Sequence, residues 1–312
     1  MEVVDRLAAA IGGVPGVFLL DRTSDPSHNR SVFTLAGEHE PVTGALLALV
    51  AESIHEIDME AHWGEHPRIG AVDVVPFVPL GETTLQQCVD LARAFGARVA
   101  EEHDLPVYLY AAAATRPERV KLADVRRGQY EGLKAEIAQR GREPDFGPPR
   151  MHRRAGAVAV GARPFLIAWN VNLESEDVDL AKRIARRVRE SGGGLPAVQA
   201  NGFRVEEPER GNPVLAQVSM NLLDFHVTPV WRVWDAIAEL AAEDGVALEE
   251  SELIGLMPQK AFLDIADHAG IPEDTPLEER IAEAAGYIKL RDFDPLMALE
   301  RRLAAAQSGQ VR

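Results

Sequence analysis

The chain is short of cysteine, of positive charge and of long apolar runs, and each shortage excludes something. Cys88 is the single cysteine in 312 residues, which rules out an internal disulfide and fits a reducing compartment. No apolar stretch approaches the roughly 20 residues that a membrane-crossing helix needs. The first residues, Met1-Glu2-Val3-Val4-Asp5, are acidic where a secretory signal is basic. A soluble cytoplasmic protein is expected. Lys and Arg number 33 against 49 Asp and Glu, a formal net charge of −16. Nucleic acids and membrane surfaces are polyanionic, so neither is expected as a partner.

What is present is an ordinary globular composition, with 46% hydrophobic and 26% charged residues. The length suggests two modest domains. Basic charge is gathered in two places. Lys182, Arg183, Arg186, Arg187 and Arg189 fall on one predicted helix and read as solvated surface. Arg150, Arg153 and Arg154 sit in a Pro/Gly-rich loop, where an anion-binding role is as plausible as a solvated one.

The element order is nearly repeated. In the second half, an apolar run over residues 165–173 reads as a strand, and Ser175 and Glu176 open a helix to about Glu190. Strands near 197–205 and 215–223, a helix from Thr228 to about Glu243 and a strand over 247–254 follow. This is β-α-β-β-α-β, the split pattern of ferredoxin-like sheets. Gly192-Gly193-Gly194 follows a helix and lacks the Lys-Ser/Thr of a phosphate loop, so it reads as a turn.

The first half gives α-β-β-α-β, from a helix over 2–11, strands at 17–21 and 31–35, a helix over 41–59 and a strand at 71–76. Its opening strand is absent. That strand normally lies inside the sheet, so a preceding segment is expected, or a later strand such as Val107 to Tyr110 fills the gap. The fold class expected is α/β (α+β): two ferredoxin-like βαββαβ-type subdomains around a cleft, the first lacking its opening strand. Their expected bounds are 1–165 and 166–312, with a helical tail over the last ~50 residues.

Two kinds of feature point to chemistry. Side chains alternate faces along a strand, so Asn170 and Asn172 share one face, as do Gln217, Ser219 and Asn221. Amides and a serine suit either a watery outer face or a half-buried surface that hydrogen-bonds a ligand. The loop from Gly64 to Gly70 packs Glu65, His66 and Arg68 beside Pro67, between a long helix and a strand. His66 can exchange a proton near neutral pH, Glu65 can bias its charge, and Arg68 can hold an anion. A surface or capping role is the commoner fate of one such histidine. His55, His62 and His66 have spacings that a continuous helix could converge on zinc, but Gly64 and Pro67 break the helix, and no metal is expected.

A set of collinear motifs goes further: Asp25-Pro26-Ser27-His28-Asn29-Arg30-Ser31, Ile57-Asp58-Met59, Gly64 to Asp73, Pro106 to Tyr110, Asp124 to Leu133, Pro144 to Pro148, Gly161-Ala162-Arg163 and Gln217 to Leu222. In these the chain resembles the formiminotransferase domain, which also forms the first part of the formimidoyltransferase-cyclodeaminases. The resemblance implies transfer of a formimidoyl group from N-formimidoyl-L-glutamate to N5 of tetrahydrofolate, in histidine degradation, by a homodimer whose protomers hold two α/β subdomains. It implies that His66 is the general acid/base. It places folate on Gly147, Pro148, Pro149, Arg150, Met151, His152, Arg153, Arg154, Ala155 and Gly156. Arg30 and Arg68, with Asn170, Asn172, Gln217, Ser219 and Asn221, are candidates to hold the substrates. Tetrahydrofolate is the co-substrate implied, with no metal and no cyclodeaminase domain.

The chain departs from the family in three respects. It lacks the opening strand with its Asn-Phe-Ser-Glu-Gly-type turn, it has Thr23 where an acid is usual, and it has alanines from 111 to 114 where a glutamate is usual. The alternatives these leave open are a non-catalytic folate-binding homologue and a transferase for another formimidoyl or formyl donor.

Overall fold

The computed structural model describes residues 2–25, 29–64, 66–207 and 212–310. Glu65 and the Pro26-Ser27-His28 part of the first motif lie outside them. The chain divides into two compact units, residues 1–164 and 165–312.

In the second unit the sequence pattern translates directly. Strands β6 (Ile167–Leu173), β7 (Val198–Glu207), β8 (Asn212–Leu222) and β9 (Leu248–Ile254) form one sheet in the order β7-β8-β6-β9, with helices α6 (Val178–Val188) and α7 (Val230–Glu243) between them in sequence. Every neighbouring pair is antiparallel, the ferredoxin-like arrangement expected. Ile167, Trp169, Val171 and Leu173 alternate into a core with Leu180, Ile184, Val233 and Ile237 of the two helices. Asp177 caps α6, accepting from the amides of Asp179 (2.9 Å) and Leu180 (3.1 Å). Gly193 and Gly194 lie in the turn that follows α6, as read. The basic stretch on α6 is solvated surface: Arg183 and Arg187 are exposed and pair with Asp244 and Glu243. Helices α8 (Gln259–His268), α9 (Leu277–Tyr287) and α10 (Leu299–Gln307) complete the unit.

The first unit contains the expected order, α1 (Glu2–Gly12), β1 (Val17–Asp25), β2 (Arg30–Gly37), α2 (His39–Glu56) and β3 (Val74–Phe77). These strands do not share a sheet. β1 and β2 form a two-stranded antiparallel hairpin, while β3 joins a separate parallel sheet with β4 (Val107–Ala111) and β5 (Val158–Ala162), in the order β3-β5-β4. The strand at Val107 does not fill the gap in the repeat, because it lies on the far side of β5 from β3. The reason is visible in the second unit, where β6 sits between β8 and β9 and joins them. Among the described residues no strand stands between β2 and β3 in this way. Helix α2 spans both parts, giving Leu47 and Val50 to the core of the parallel sheet and Ala45 and Leu49 to that of the hairpin.

The parallel sheet is covered on both faces, which explains its unbroken apolar strands. Val107, Leu109, Val158 and Val160 face α3 (Leu85–His103), where Val89, Ala92, Phe95 and Val99 are buried. Tyr108, Tyr110, Ala157 and Ala159 face the other way, towards Val125 of α4 (Leu122–Val125) and Leu133 of α5 (Gln129–Glu136). No helix among the described residues is long and apolar enough to cross a membrane.

Candidate active site

Two loops meet at the amino ends of β3 and β5. One runs from Ile57, after α2, to Asp73 and carries His66; the other covers residues 147–157. They are stitched through backbone hydrogen bonds: Met59 N–H to Arg154 O (2.7 Å), Ala71 N–H to Ala155 O (2.9 Å) and Ala157 N–H to Ile69 O (3.0 Å). At the crossing, Gly70 and Gly156 face each other. A Cβ on Gly70 would lie 1.9 Å from the Ala157 carbonyl oxygen, and one on left-handed Gly156 (φ +73°) would lie 2.4 Å from that of Ile69. Only glycine at both positions lets the chains approach this closely.

The histidine loop is braced from three further directions. From α5, Glu131 takes both arms of the Arg68 guanidinium (3.0 and 2.8 Å), and Tyr130 (2.6 Å) and Lys134 donate to Glu60. From below, Asp73 accepts the Ile69 N–H (2.8 Å) and pairs with Arg126. Burial pushes the Asp73 carboxyl above its ordinary range, with Arg126 opposing. From the β1–β2 turn, Asn29 donates to the Trp63 carbonyl (2.6 Å), and the His62 ring lies 3.1 Å from the Asn29 carbonyl. Trp63, held through its backbone, leaves 86% of its side chain's residue surface exposed. His66 itself is half-buried in this frame.

The cations divide by occupation. Arg68 is committed to Glu131, and Arg150 to Asp104 at the end of α3. Arg154 donates to the Ile54 (3.1 Å) and His55 (2.9 Å) carbonyls, capping the carboxyl end of α2, where a positive charge suits the helix dipole. Arg30 and Arg153 are exposed and make no ion pair with the described residues.

His152 organises the second loop. Its Nδ1 accepts the Ala155 N–H (3.0 Å) and, more weakly, that of Arg154 (3.3 Å), so the ring must be neutral. Burial pushes its pKa below the ordinary histidine value. The unfolded chain therefore takes up the proton at a higher pH than the folded one. The stabilisation is complete above the ordinary value, about 6.5, and is lost as pH falls through it towards the lower folded value. The melting temperature of the wild type is expected to fall more steeply between pH 8 and 5.5 than that of His152→Gln. Parallel profiles would exclude this role.

In the second unit the five polar candidates lie on one sheet face. Asn172 pairs with Gln217 across the strands, Asn170 with Ser219 and Ala168 with Asn221. The stripe continues onto β9: Asn170 donates to Glu252 (3.0 Å), Asn172 to Glu250 (3.2 Å) and Gln217 to Asn172 (2.9 Å), while Arg291 holds both glutamates. Asn172 and Gln217 are buried, so the stripe is a connected polar network.

Sequence reading missed Asp73, Arg126, Glu131, Glu60 and the Glu250–Glu252–Arg291 cluster. Asp73, Arg126 and Glu131 fall within the quoted motifs, but their roles rest largely on partners remote in the chain, as with Arg126 on Asp73 and Glu131 on Arg68. Among the described residues no group of three His, Cys, Asp or Glu side chains is placed to hold a metal ion.

A half-buried histidine on a braced loop, locked to a second loop rich in cations, suits an enzyme that moves protons on an anionic substrate. Comparison with known proteins makes this specific. Residues 1–163 match the family model of the formiminotransferase domain, N-terminal subdomain, and residues 168–294 match that of the formiminotransferase domain. The glutamate formimidoyltransferase of Streptococcus pyogenes is 43% identical over 281 residues, 90% of this chain and 92% of that protein. That of Thermoplasma acidophilum is 43% identical over 305 residues, 97% of this chain and 93% of that protein. The rat formimidoyltransferase-cyclodeaminase is 41% identical over 306 residues, 94% of this chain but 56% of that longer protein. The chain belongs to the formiminotransferase family.

Proposed function

We propose that this enzyme moves the formimidoyl group of N-formimidoyl-L-glutamate to N5 of tetrahydrofolate, with His66 as the proton carrier. The observation that carries the reading is the locked pair of loops, present in a chain 43% identical to glutamate formimidoyltransferases over most of its length. N5 attacks the formimidoyl carbon to give a tetrahedral adduct. His66 takes the proton from N5 and returns it to the glutamate nitrogen as the carbon–nitrogen bond to glutamate breaks. The products are 5-formimidoyltetrahydrofolate and L-glutamate.

The loop over Gly147 to Gly156 lies against the folate in this reading, with Arg153 and Arg30 its available cations. Arg68 and Arg154 act by fixing the loops. The polar stripe from Asn170 to Asn221, with Glu250 and Glu252, offers amide and carboxylate acceptors of the kind an amidinium takes. The enzyme serves histidine degradation in the cytoplasm as a homodimer, a state that light scattering measures.

The test is transfer itself. Purified enzyme with N-formimidoyl-L-glutamate and tetrahydrofolate is expected to release stoichiometric L-glutamate and a 5-substituted folate. Folate binding without turnover would instead make the chain a non-catalytic homologue, the reading that Thr23 and Ala111 to Ala114 favour.

A further inference from the structure

The chain leaves β3 towards α3 on one face of the parallel sheet, and leaves β4 towards α4 and α5 on the other. Connections that part in this way open a crevice outside the carboxyl ends of the strands, the place where open α/β sheets bind ligands. The central strand β5 ends there on Arg163, whose N–H bonds the Phe77 carbonyl at the end of β3 (3.1 Å). Arg163 is two residues beyond Gly161 and so shares its face. Tyr110 of β4 pairs with Gly161 and lies across it: a Cβ there would meet the Tyr110 ring at 2.5 Å. The phenol and the guanidinium are therefore neighbours at the crevice floor.

Arg163 is half-buried; its guanidinium donates to the Pro164 carbonyl (3.0 Å) and lies against the Tyr110 phenol, and among the described residues it has no carboxylate partner. Other guanidinium groups withdrawn from solvent in this unit, those of Arg68, Arg119 and Arg126, each have one. Beside Tyr110 the backbone of Ala111 is left-handed (φ +52°), at a cost of about 1 kcal/mol for a non-glycine residue. Ala112 to Ala114 follow with nothing larger than methyl groups. A left-handed alanine, a rim of small side chains and a guanidinium with no carboxylate partner among the described residues coincide.

We propose that Arg163, with the Tyr110 hydroxyl, binds a substrate carboxylate in this crevice. The inference rests on the function proposed above and adds a binding residue to it. Arg163 comes seven residues after Gly156, about 20 Å of extended chain. A carboxylate here is remote from a carbon reacting at the His66 loop, which favours the glutamate arm of the folate over the short donor. Arginine offers paired donors to such a group and the phenol adds a third.

The experiment compares wild type, Arg163→Gln, Arg163→Lys and Tyr110→Phe. For Arg163→Gln the KM for tetrahydrofolate is expected to rise at least tenfold with kcat within about threefold, the KM for the donor unchanged, and Arg163→Lys to recover part of the loss. A rise in the donor's KM instead keeps the carboxylate site and assigns it to the donor. Calorimetry with p-aminobenzoyl-L-glutamate, L-glutamate and p-aminobenzoate reads binding without turnover, and so decides the crevice even if the wild type transfers nothing. Unchanged KM values together with wild-type binding of both glutamate probes by Arg163→Gln would overturn the proposal. If that variant does not fold, Arg163→Lys and Tyr110→Phe carry the same comparison.

Discussion

Replacing His66 by alanine is expected to lower kcat for formimidoyl transfer by roughly 10²–10⁴-fold, the usual contribution of a positioned acid/base. Folate affinity should change little, because much of the loop's frame comes from other residues. Gly70 and Gly156 still cross, Glu131 still holds Arg68, and Asp73 still holds the Ile69 N–H. Two further observations separate chemistry from structure. The melting temperature of His66→Ala should stay near that of the wild type, and added imidazole should restore part of the rate. A variant that turns over at the wild-type rate would remove His66 from the mechanism. One that loses folate binding and stability together would make it a structural residue.

The largest effect on stability is expected at Asp145. Its carboxylate accepts from Arg119, Thr115 and the Leu109 N–H (2.8 Å), and both charged side chains are buried, 4% exposed for Arg119 and 7% for Asp145. Arg119 also lies over the Tyr108 ring, 5.0 Å from its centroid. Asp145→Ala strands a buried guanidinium and leaves a strand amide unpaired, a loss of about 3–5 kcal/mol. At 2–4 °C for each kcal/mol, the midpoint for this unit should fall by roughly 10 °C. The double variant Arg119→Met/Asp145→Leu should recover much of this, since removing both charges removes the desolvation penalty as well. Because Phe146 and Gly147 lead straight into the second loop, Asp145→Ala should also raise the KM for tetrahydrofolate. A scanning calorimetry midpoint within 3 °C of wild type would show that the pair is dispensable.

The second unit was almost fully legible in the sequence. Its strands alternate apolar and polar residues cleanly, as in Trp169-Asn170-Val171-Asn172, although α6 opens on an Asp177 cap rather than at Ser175 and Glu176 as expected. Local periodicity was enough because each strand pairs with a partner that the βαββαβ order already supplies. In the first unit the same periodicity found the elements but not their sheets. Which strand joins which depends on partners far apart, such as Val74 with Ala159, and apolar strands covered on both faces carry no alternation to reveal their neighbours. β3 also begins at Val74, later than the apolar pattern suggests, because Asp73 just before it is turned to Ile69 and Arg126. At the site, the glycines, proline and histidine of the loop are a local signature. The groups that hold it are not: Glu131 acts on Arg68 across 63 residues and Tyr130 on Glu60 across 70. On a short helix they look like any solvated pair of residues.

The division of the first unit into a hairpin and a parallel sheet bears on how its parts come apart. The hairpin layer keeps a small core of its own, Leu7 and Ile11 against Ala45 and Leu49, while the parallel sheet has the far larger one. Layers with few buried contacts open at lower free energy than the global transition, as separate cooperative units. Here the opening unit ends at Asn29, which grips His62 and Trp63, whereas Ile69 to Ala71 are pinned to the deeper sheet through residues 155–157. The histidine loop is thus moored at one end to the layer with the smaller core and at the other to the layer with the larger, so opening of the hairpin is expected to loosen the approach to His66 while leaving its anchor in place.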